Sequence, residues 1–184
     1  MNWLIFLLTG YVALALGAGL RDLWAIGSTA PSLLLVVAVY VGLLAPASVV
    51  PWAWLALGVA ADLQPGPLAE GPIIGPMALG YLAAGVMMLQ LRKLLFRESI
   101  LALVACVLAA GAVVHLVAVA LLSLRGLGVV LGEPIAGFAA ADQLVARALE
   151  LAYTAAVALP AGLLLLRSTG MWGFANRTRG ERHF

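Results

Sequence analysis

Two carboxylates, Asp62 and Glu70, lie in the segment GVAADLQPGPLAEGPIIGP, from Gly58 to Pro76, which also contains four prolines. An aspartyl dyad, an activated serine and a phosphate-binding loop each require partner residues in a suitable arrangement. No such set is found in the sequence, and GPLAEGP lacks the Lys and Ser/Thr of a phosphate loop. We therefore expect no catalytic residue and a non-enzymatic protein.

His115 stands alone in a long apolar run, and Cys106 is the single cysteine. One cysteine excludes an internal disulfide framework, and one buried histidine with scattered carboxylates offers too few ligands for a metal. We expect His115 to be a packed or hydrogen-bonded core residue. A proton-relay or ligand role is the alternative, because ionisable groups inside a membrane are often functional. No metal and no cofactor is expected.

Arg147 and Glu150 are three residues apart, so they share one face of a helix. We expect an ion pair that anchors the start of the last apolar segment, with a ligand contact as the alternative. Asp142 and Gln143 extend this polar, amphipathic lead-in.

The amino-acid composition indicates the class of protein in which these residues are positioned. Of 184 residues, 65% are hydrophobic and 10% are charged, whereas soluble domains have about 45–50% apolar and about 25% charged residues. This excludes a soluble protein and predicts a polytopic membrane protein. Its surroundings would be the lipid bilayer, with no nucleic acid as partner.

The apolar runs predict an all-α integral membrane protein, a compact bundle of six transmembrane helices. Because a span needs about 20 mostly apolar residues, we place spans at about 1–20, 31–45, 52–63, 73–91, 99–122 and 149–166. Pro46 and Pro51 separate the second span from the third. The transmembrane domain covers 1–166 and a basic cytoplasmic tail covers 167–184. Five spans remain an alternative.

Basic residues cluster after the fourth span and in the tail (Arg92, Lys93, Arg97, Arg167, Arg177, Arg179, Arg182). The positive-inside rule then favours six spans with both termini cytoplasmic. The Gly58–Pro76 segment would form a tightly packed cap at the outer face. We expect Trp3, Trp24, Trp52 and Trp54 in an interfacial belt, and Trp172 as an anchor at the membrane surface or part of a tail that only fixes topology.

Two stretches resemble the family of the bacterial rod shape-determining protein MreD. PSLLLVVAVYVGLLAP, with Pro31 first and Tyr40 within it, resembles the second span of that family. GVAADLQPGP and MALGYLAAG resemble its most recognisable segment, in which a glycine-containing helix ends in Asp-Leu, a loop follows, and a helix with a central tyrosine resumes. Asp62, Gly66 and Tyr81 occupy those positions. Pro160 in the last span agrees, whereas the proline-rich loop and Ala30 depart from the pattern.

The resemblance implies a scaffold or regulator of the peptidoglycan-synthesis complex that elongates rod-shaped cells. Its partners would be MreC and, in the wider complex, the MreB filament, RodA and its partner transpeptidase. MreD also resembles the six-helix S components of energy-coupling-factor transporters. The alternative is therefore a vitamin-binding S component. The candidate structural or interaction residues are Pro31, Tyr40, Asp62, Gly66, Tyr81, His115, Arg147, Glu150 and Pro160.

Overall fold

The computed structural model describes residues 1–19, 23, 25, 29–64, 75–94, 99–126 and 139–174. These residues form six α-helices and a short 3-10 helix, with no β-strand among them. This confirms an all-helical protein with six helices. The helices are α1 (Trp3–Gly19), α2 (Leu33–Leu44), α3 (Val50–Asp62), α4 (Pro76–Leu91), α5 (Ile100–Gly126) and α6 (Ala140–Arg167), and the 3-10 helix is Thr169–Trp172.

Prolines mark the boundaries of the three shortest helices. Ala45 is extended, with φ −73° and ψ 156°, so α2 ends before Pro46, as the residue preceding a proline disfavours the helical region. Pro51 and Pro76 lie in the first turns of α3 and α4. A first-turn proline loses no intrahelical hydrogen bond, and its fixed φ suits a helix start. The predicted break between the second and third apolar segments is therefore confirmed.

The central helix of the bundle is α2, which contacts each of the other five helices. Every residue from Leu34 to Leu43 is buried. A helix that is hydrophobic on all sides must be surrounded by protein or lipid, and here protein surrounds α2. Its 12 residues correspond to about 18 Å of helix length.

Successive helices run in alternating directions between two ends of the bundle. At the first, the Trp172 end, the Asn2 N–H donates to the Trp172 carbonyl at 2.8 Å, and Arg92 donates to the Ala45 carbonyl at 2.7 Å. At the other, the Asp62 end, the Ser32 N–H donates to the Thr154 hydroxyl at 2.9 Å. The first and last described segments therefore meet at the Trp172 end.

The last helix differs most from its predicted bounds. The expected start was about residue 149, but α6 begins at Ala140, and α5 also continues beyond residue 122 to Gly126. The prediction ended these segments where charges appear, at Arg125 and Arg147. Charge limits the apolar part of a span, but an exposed helix tolerates Arg and Glu well. Pro160 lies inside α6 with its side chain exposed.

By length and composition, α5 and α6 are apolar enough to cross a membrane, while the other four helices are apolar but have at most 17 residues. Two such helices support membrane association. Many large apolar side chains are also exposed on α1, among them Leu4, Leu7, Leu8 and Tyr11. A continuous apolar face of this kind is unusual on a soluble monomer.

The predicted positions of two tryptophans, Trp54 and Trp172, are wrong. Trp3 and Trp52 are exposed, as an interfacial belt requires, but Trp54 is fully buried between α2 and α4, against Gly42 and Gly85. Trp172 is also buried, so it is no membrane-surface anchor in this structure. Glycines on both neighbouring helices leave room for the Trp54 indole, which span-end position alone does not reveal. Trp24 and the arginines after residue 174 lie outside the described residues.

Candidate functional site

Asp62, the carboxylate singled out in the sequence, is the last residue of α3 and joins that helix to α4. Its oxygens accept hydrogen bonds from the backbone N–H groups of Gly75 (2.8 Å), Met77 (3.0 Å) and Ala78 (2.9 Å). The first N–H groups of a helix have no partner within the helix and carry partial positive charge. Asp62 therefore caps α4 from a neighbouring helix, and we call this arrangement the α3–α4 cap.

A close approach of the two helices makes the cap possible. A Cβ atom added at Gly58 would lie 2.7 Å from the Ala78 Cα and 2.8 Å from the Tyr81 Cβ. Only glycine allows backbones to come this near, as in small-residue contacts between membrane helices. The two described ends of the predicted helix break, at Asp62 and Gly75, are therefore held together. Gly66 and Glu70, both named as candidates, lie outside the described residues.

Beside the cap, polar side chains from four helices meet at the Asp62 end. We call this group the polar cluster (Ser32, Tyr81, His115, Arg147, Glu150, Thr154). The Thr154 hydroxyl accepts the Ser32 N–H at 2.9 Å and donates to the Glu150 carbonyl at 2.7 Å. Tyr81, which is buried, interacts through its side chain with Ser32. Pro31, also buried, precedes Ser32 at the start of α2.

His115 is 6% exposed, and neither ring nitrogen has a hydrogen-bond partner among the described residues. The sequence prediction of a buried histidine in α5 is confirmed, but its hydrogen bond is not found. Arg147 is close enough for its charge to act on both His115 and Tyr81. The structure therefore brings together three of the predicted candidates from α4, α5 and α6.

Arg147 and Glu150 form the predicted ion pair, with 3.6 Å between Nη1 and Oε2. Both side chains are roughly a quarter exposed, so the pair is of the partly solvated kind whose contribution is at most about 1 kcal/mol. The pair lies within α6 rather than at its start, because the helix begins seven residues before Arg147. The helix therefore continues through the polar lead-in, and the anchor at the start of the span stays a prediction.

Tyr40 lies at the opposite end, in a group that we call the terminal cluster (Tyr40, Thr169, Trp172, Phe174). The Tyr40 hydroxyl bonds to the Thr169 hydroxyl at 3.1 Å. Its ring meets the Trp172 ring edge-on at a centroid distance of 5.0 Å, and Trp172 stacks on Phe174 at 5.6 Å. The segment after α6 thus folds back over α2.

Sequence reasoning missed Ser32, Thr154 and the terminal cluster. Ser32 and Thr154 are 122 positions apart, and nothing local indicates that they meet. A signal for the terminal cluster was available within the tail, in the aromatic or apolar residues Met171, Trp172 and Phe174. Their hydrophobicity is as compatible with packing on α2 as with a membrane surface.

The described residues contain no group of three or more His, Cys, Asp or Glu side chains able to hold a metal ion. No family model, curated protein or solved structure matches the chain. What the site can do must therefore be argued from its geometry.

Proposed function

We propose that this chain is a multi-pass protein of the bacterial cytoplasmic membrane, related to the MreD family, that acts as a non-enzymatic scaffold or regulator of cell elongation. MreC would be its direct partner, and MreB, RodA and the partner transpeptidase would belong to the wider complex. The observation behind the proposal is the helix–break–helix unit around Asp62. A glycine-containing helix ends at Asp62, and a helix containing Tyr81 resumes at Pro76, which is the pattern of the family resemblance.

The positions of the other resemblance residues support a structural role for them. Pro31 and Tyr40 lie at opposite ends of the buried α2, and Tyr81 packs between α3 and α4, with its ring centroid 5.9 Å from that of Trp54. Pro160 is the exposed helix-interior proline of α6. A scaffold requires closely packed helices with outward surfaces for partners, and these residues maintain such packing.

The distribution of charge supports the proposed topology. Arg92, Lys93 and Arg167 lie at the Trp172 end, whereas Asp62, Asp142 and Glu150 lie at the Asp62 end or beyond it. Basic residues flanking short loops favour the cytoplasmic side. We infer six spans, with α2 to α4 short because protein rather than lipid surrounds much of their surface, and with both termini in the cytoplasm.

The direct test is co-purification with the MreC encoded by the same genome. The tagged chain in mild detergent should retain MreC, and Asp62→Ala should impair cell elongation while the protein still inserts into the membrane. Asp142→Ala, an exposed carboxylate at the start of α6, is the matched control and should leave rod shape unchanged. Loss of MreC during purification, or normal rods in the Asp62→Ala strain, would contradict the proposal. Neighbouring genes offer a further check, since an MreC-like reading frame immediately upstream is expected.

A second candidate function is the S component of an energy-coupling-factor vitamin transporter, and the polar cluster favours it. A small-molecule site needs a few convergent polar groups in an otherwise apolar setting. His115, Tyr81 and Glu150 meet that description. Stoichiometric binding of a vitamin by the purified chain, together with failure to retain MreC, would favour this alternative. Genes for an ATPase pair nearby would point the same way.

A further inference from the structure

The unpartnered imidazole of His115 is the strongest unexplained polar feature in the described residues. Only two of their buried side chains leave a nitrogen or oxygen without a partner: Trp54, with one nitrogen, and His115, with both. A buried polar group without a partner costs about 1–3 kcal/mol. Such a group in a folded protein needs an explanation, and a missing ligand is one of the few available.

The register of the helices places Arg147 at the level of His115. Gly111 lies one turn from His115 on the same face of α5. A Cβ atom added at Gly111 would contact the Leu151 side chain of α6 and would lie 2.9 Å from the Leu35 Cδ2 atom. Because α5 and α6 are antiparallel, a step of four residues along each brings His115 opposite Arg147. The electrostatic effect of Arg147 on His115 agrees with this register.

Tyr81 reaches the same level from α4. A Cβ added at Gly80 would lie 2.7 Å from the Val114 carbonyl oxygen, so Gly80 and Val114, the neighbours of Tyr81 and His115, are in contact. The Arg147 charge acts on Tyr81 as well. Tyr81 therefore lies at the level of His115 and Arg147, where a guanidinium and an imidazole from two adjacent helices face each other.

These donors select the class of ligand. Arg147 presents five N–H donors in a planar fork. In its ion pair within the described residues, the Nη1 atom lies 3.6 Å from the Glu150 Oε2 atom. That distance exceeds the roughly 2.7–2.9 Å of a strong charge-assisted hydrogen bond. Asp62 is another acid at this end of the bundle, but its oxygens already accept three backbone N–H groups. An incoming group with several acceptor oxygens would therefore compete chiefly with Glu150.

We propose that His115 and Arg147 bind an oxyanion, a carboxylate or phosphate group, between α5 and α6 beside Tyr81. The oxyanion displaces the Glu150 carboxylate from the Arg147 guanidinium. It also accepts a hydrogen bond from the N–H of the His115 imidazole. This inference goes beyond the scaffold role and does not depend on it, since binding is measured on the chain alone.

Two sources can supply such a group: a free small molecule or a phospholipid headgroup. Ile100 of α5 contacts Gly162 of α6, which defines one level of the bundle. His115 on α5 and Arg147 on α6 each lie fifteen residues from that level, and this corresponds to about 22 Å along a helix. With that level at one boundary of a hydrocarbon core about 30 Å thick, the site lies about midway between the midplane and the opposite headgroup layer. A free small molecule and a phospholipid headgroup can thus both reach the site, and both present an oxyanion.

The experiment uses the full-length purified chain in detergent, with two probes. The first is inorganic phosphate, followed by thermal unfolding; the second is phosphatidylglycerol, followed by native mass spectrometry after delipidation and re-addition. At least one probe should bind. Arg147→Gln should weaken that binding roughly 10- to 100-fold, the loss expected from removing a charged hydrogen-bond partner. His115→Gln tests the second contact and should also weaken binding.

Two further variants keep the test independent of folding. Glu150→Gln removes the competing carboxylate, so it should tighten binding, a result that mere damage to the fold cannot give. Arg167→Gln, at the far end of the same helix, is the matched control and should bind as the unaltered chain does. Stabilisation by phosphate identifies a free oxyanion, and retention of phosphatidylglycerol alone identifies a headgroup. Binding of neither probe, or equal binding by Arg147→Gln and the unaltered chain, overturns the inference.

Discussion

The two ends of this bundle are closed by different chemistry. At the Asp62 end, one carboxylate accepts three backbone N–H groups, and polar side chains of four helices gather beside it. At the Trp172 end, aromatic rings of the terminal cluster stack over α2, and separate hydrogen bonds join Tyr40 to Thr169, the Trp172 indole to Ser168, and Asn2 to the Trp172 carbonyl. The first closure depends on bonds to one carboxylate, whereas the second combines aromatic contact area with several separate hydrogen bonds.

The difference shows where sequence change should be tolerated. A stacked aromatic contact loses energy gradually as its area falls, because dispersion and burial are roughly proportional to contact. A buried carboxylate bound to a helix N-terminus has few substitutes, because the acceptor geometry and the charge are both needed. We therefore expect the terminal cluster to accept another large aromatic side chain and the α3–α4 cap to require Asp62.

Truncation of the buried indole at the Trp172 end should have the largest effect on stability. Trp172→Ala should lower the free energy of unfolding by about 3–5 kcal/mol, the usual cost of removing a large aromatic from a packed site. The comparison predicts that Trp172→Phe recovers most of this loss, because ring contact with Tyr40 and Phe174 persists and only the 3.0 Å hydrogen bond from the indole N–H to Ser168 is lost. Titration with SDS in detergent micelles, followed by helical circular dichroism, measures both.

Trp52→Ala is the matched control, since this indole is 67% exposed and should change the free energy of unfolding by less than about 1 kcal/mol. If Trp172→Phe were as damaging as Trp172→Ala, contact area would not be what closes this end.

Removal of the carboxylate at the Asp62 end should lower the free energy of unfolding by less than Trp172→Ala does. No conservative substitution should restore that loss. Asp62→Ala leaves three N–H groups of α4 without their acceptor, and we expect a loss of about 2–3 kcal/mol in the free energy of unfolding. Asp62→Asn keeps the shape but loses the charge and one acceptor oxygen, so it should remain well below the unaltered chain. The same SDS titration measures the loss.

Asp142→Ala, the exposed carboxylate control, should cost at most about 1 kcal/mol through the helix dipole. An Asp62→Asn protein as stable as the unaltered chain would show that charge is not essential to the cap, and the contrast between the two ends would disappear.

The sequence predicted the number and order of the helices, because apolar runs and prolines are local signals. It placed the break before α3 correctly from Pro46 and Pro51, and it predicted the Arg147–Glu150 pair from a spacing of three. The helix α6 begins nine residues before the predicted span, since charged residues mark the end of an apolar stretch and not the end of a helix. Helix bounds and span bounds are different quantities in a chain of this composition.

The candidate site was predictable only in part. Asp62 was identified from its place in a proline-rich break, yet its three N–H partners come from beyond a segment whose path the sequence does not specify. His115 and Arg147 were each noticed, but their proximity depends on the close contact at Gly111, which sets the register of α5 against α6. Trp172 was misplaced because the basic residues after it suggested a membrane surface. Contacts between distant segments require the tertiary structure.

The smallest expected effect concerns the close helix approach that the cap requires, and it separates packing from hydrogen bonding at the Asp62 end. Gly58→Ala places a methyl group 2.7 Å from the Ala78 Cα, so α3 and α4 must move apart. Overpacking of this kind costs about 1–3 kcal/mol. Because the carboxylate of Asp62 moves with α3, the separation should also lengthen its bonds to α4.

Gly17→Ala is the matched control for the change of residue type. Gly17 is helical, and an added Cβ there meets no atom within 4 Å, so the substitution should be neutral or stabilising by roughly 0.5–1 kcal/mol through helix propensity. A double-mutant cycle then distinguishes the two contributions: if Gly58→Ala acts by disturbing the cap, its effect in the Asp62→Ala background should be smaller than in the unaltered chain. Additive effects would instead mean that helix packing and the carboxylate stabilise the Asp62 end independently, and the cap would then not depend on the glycine beneath it.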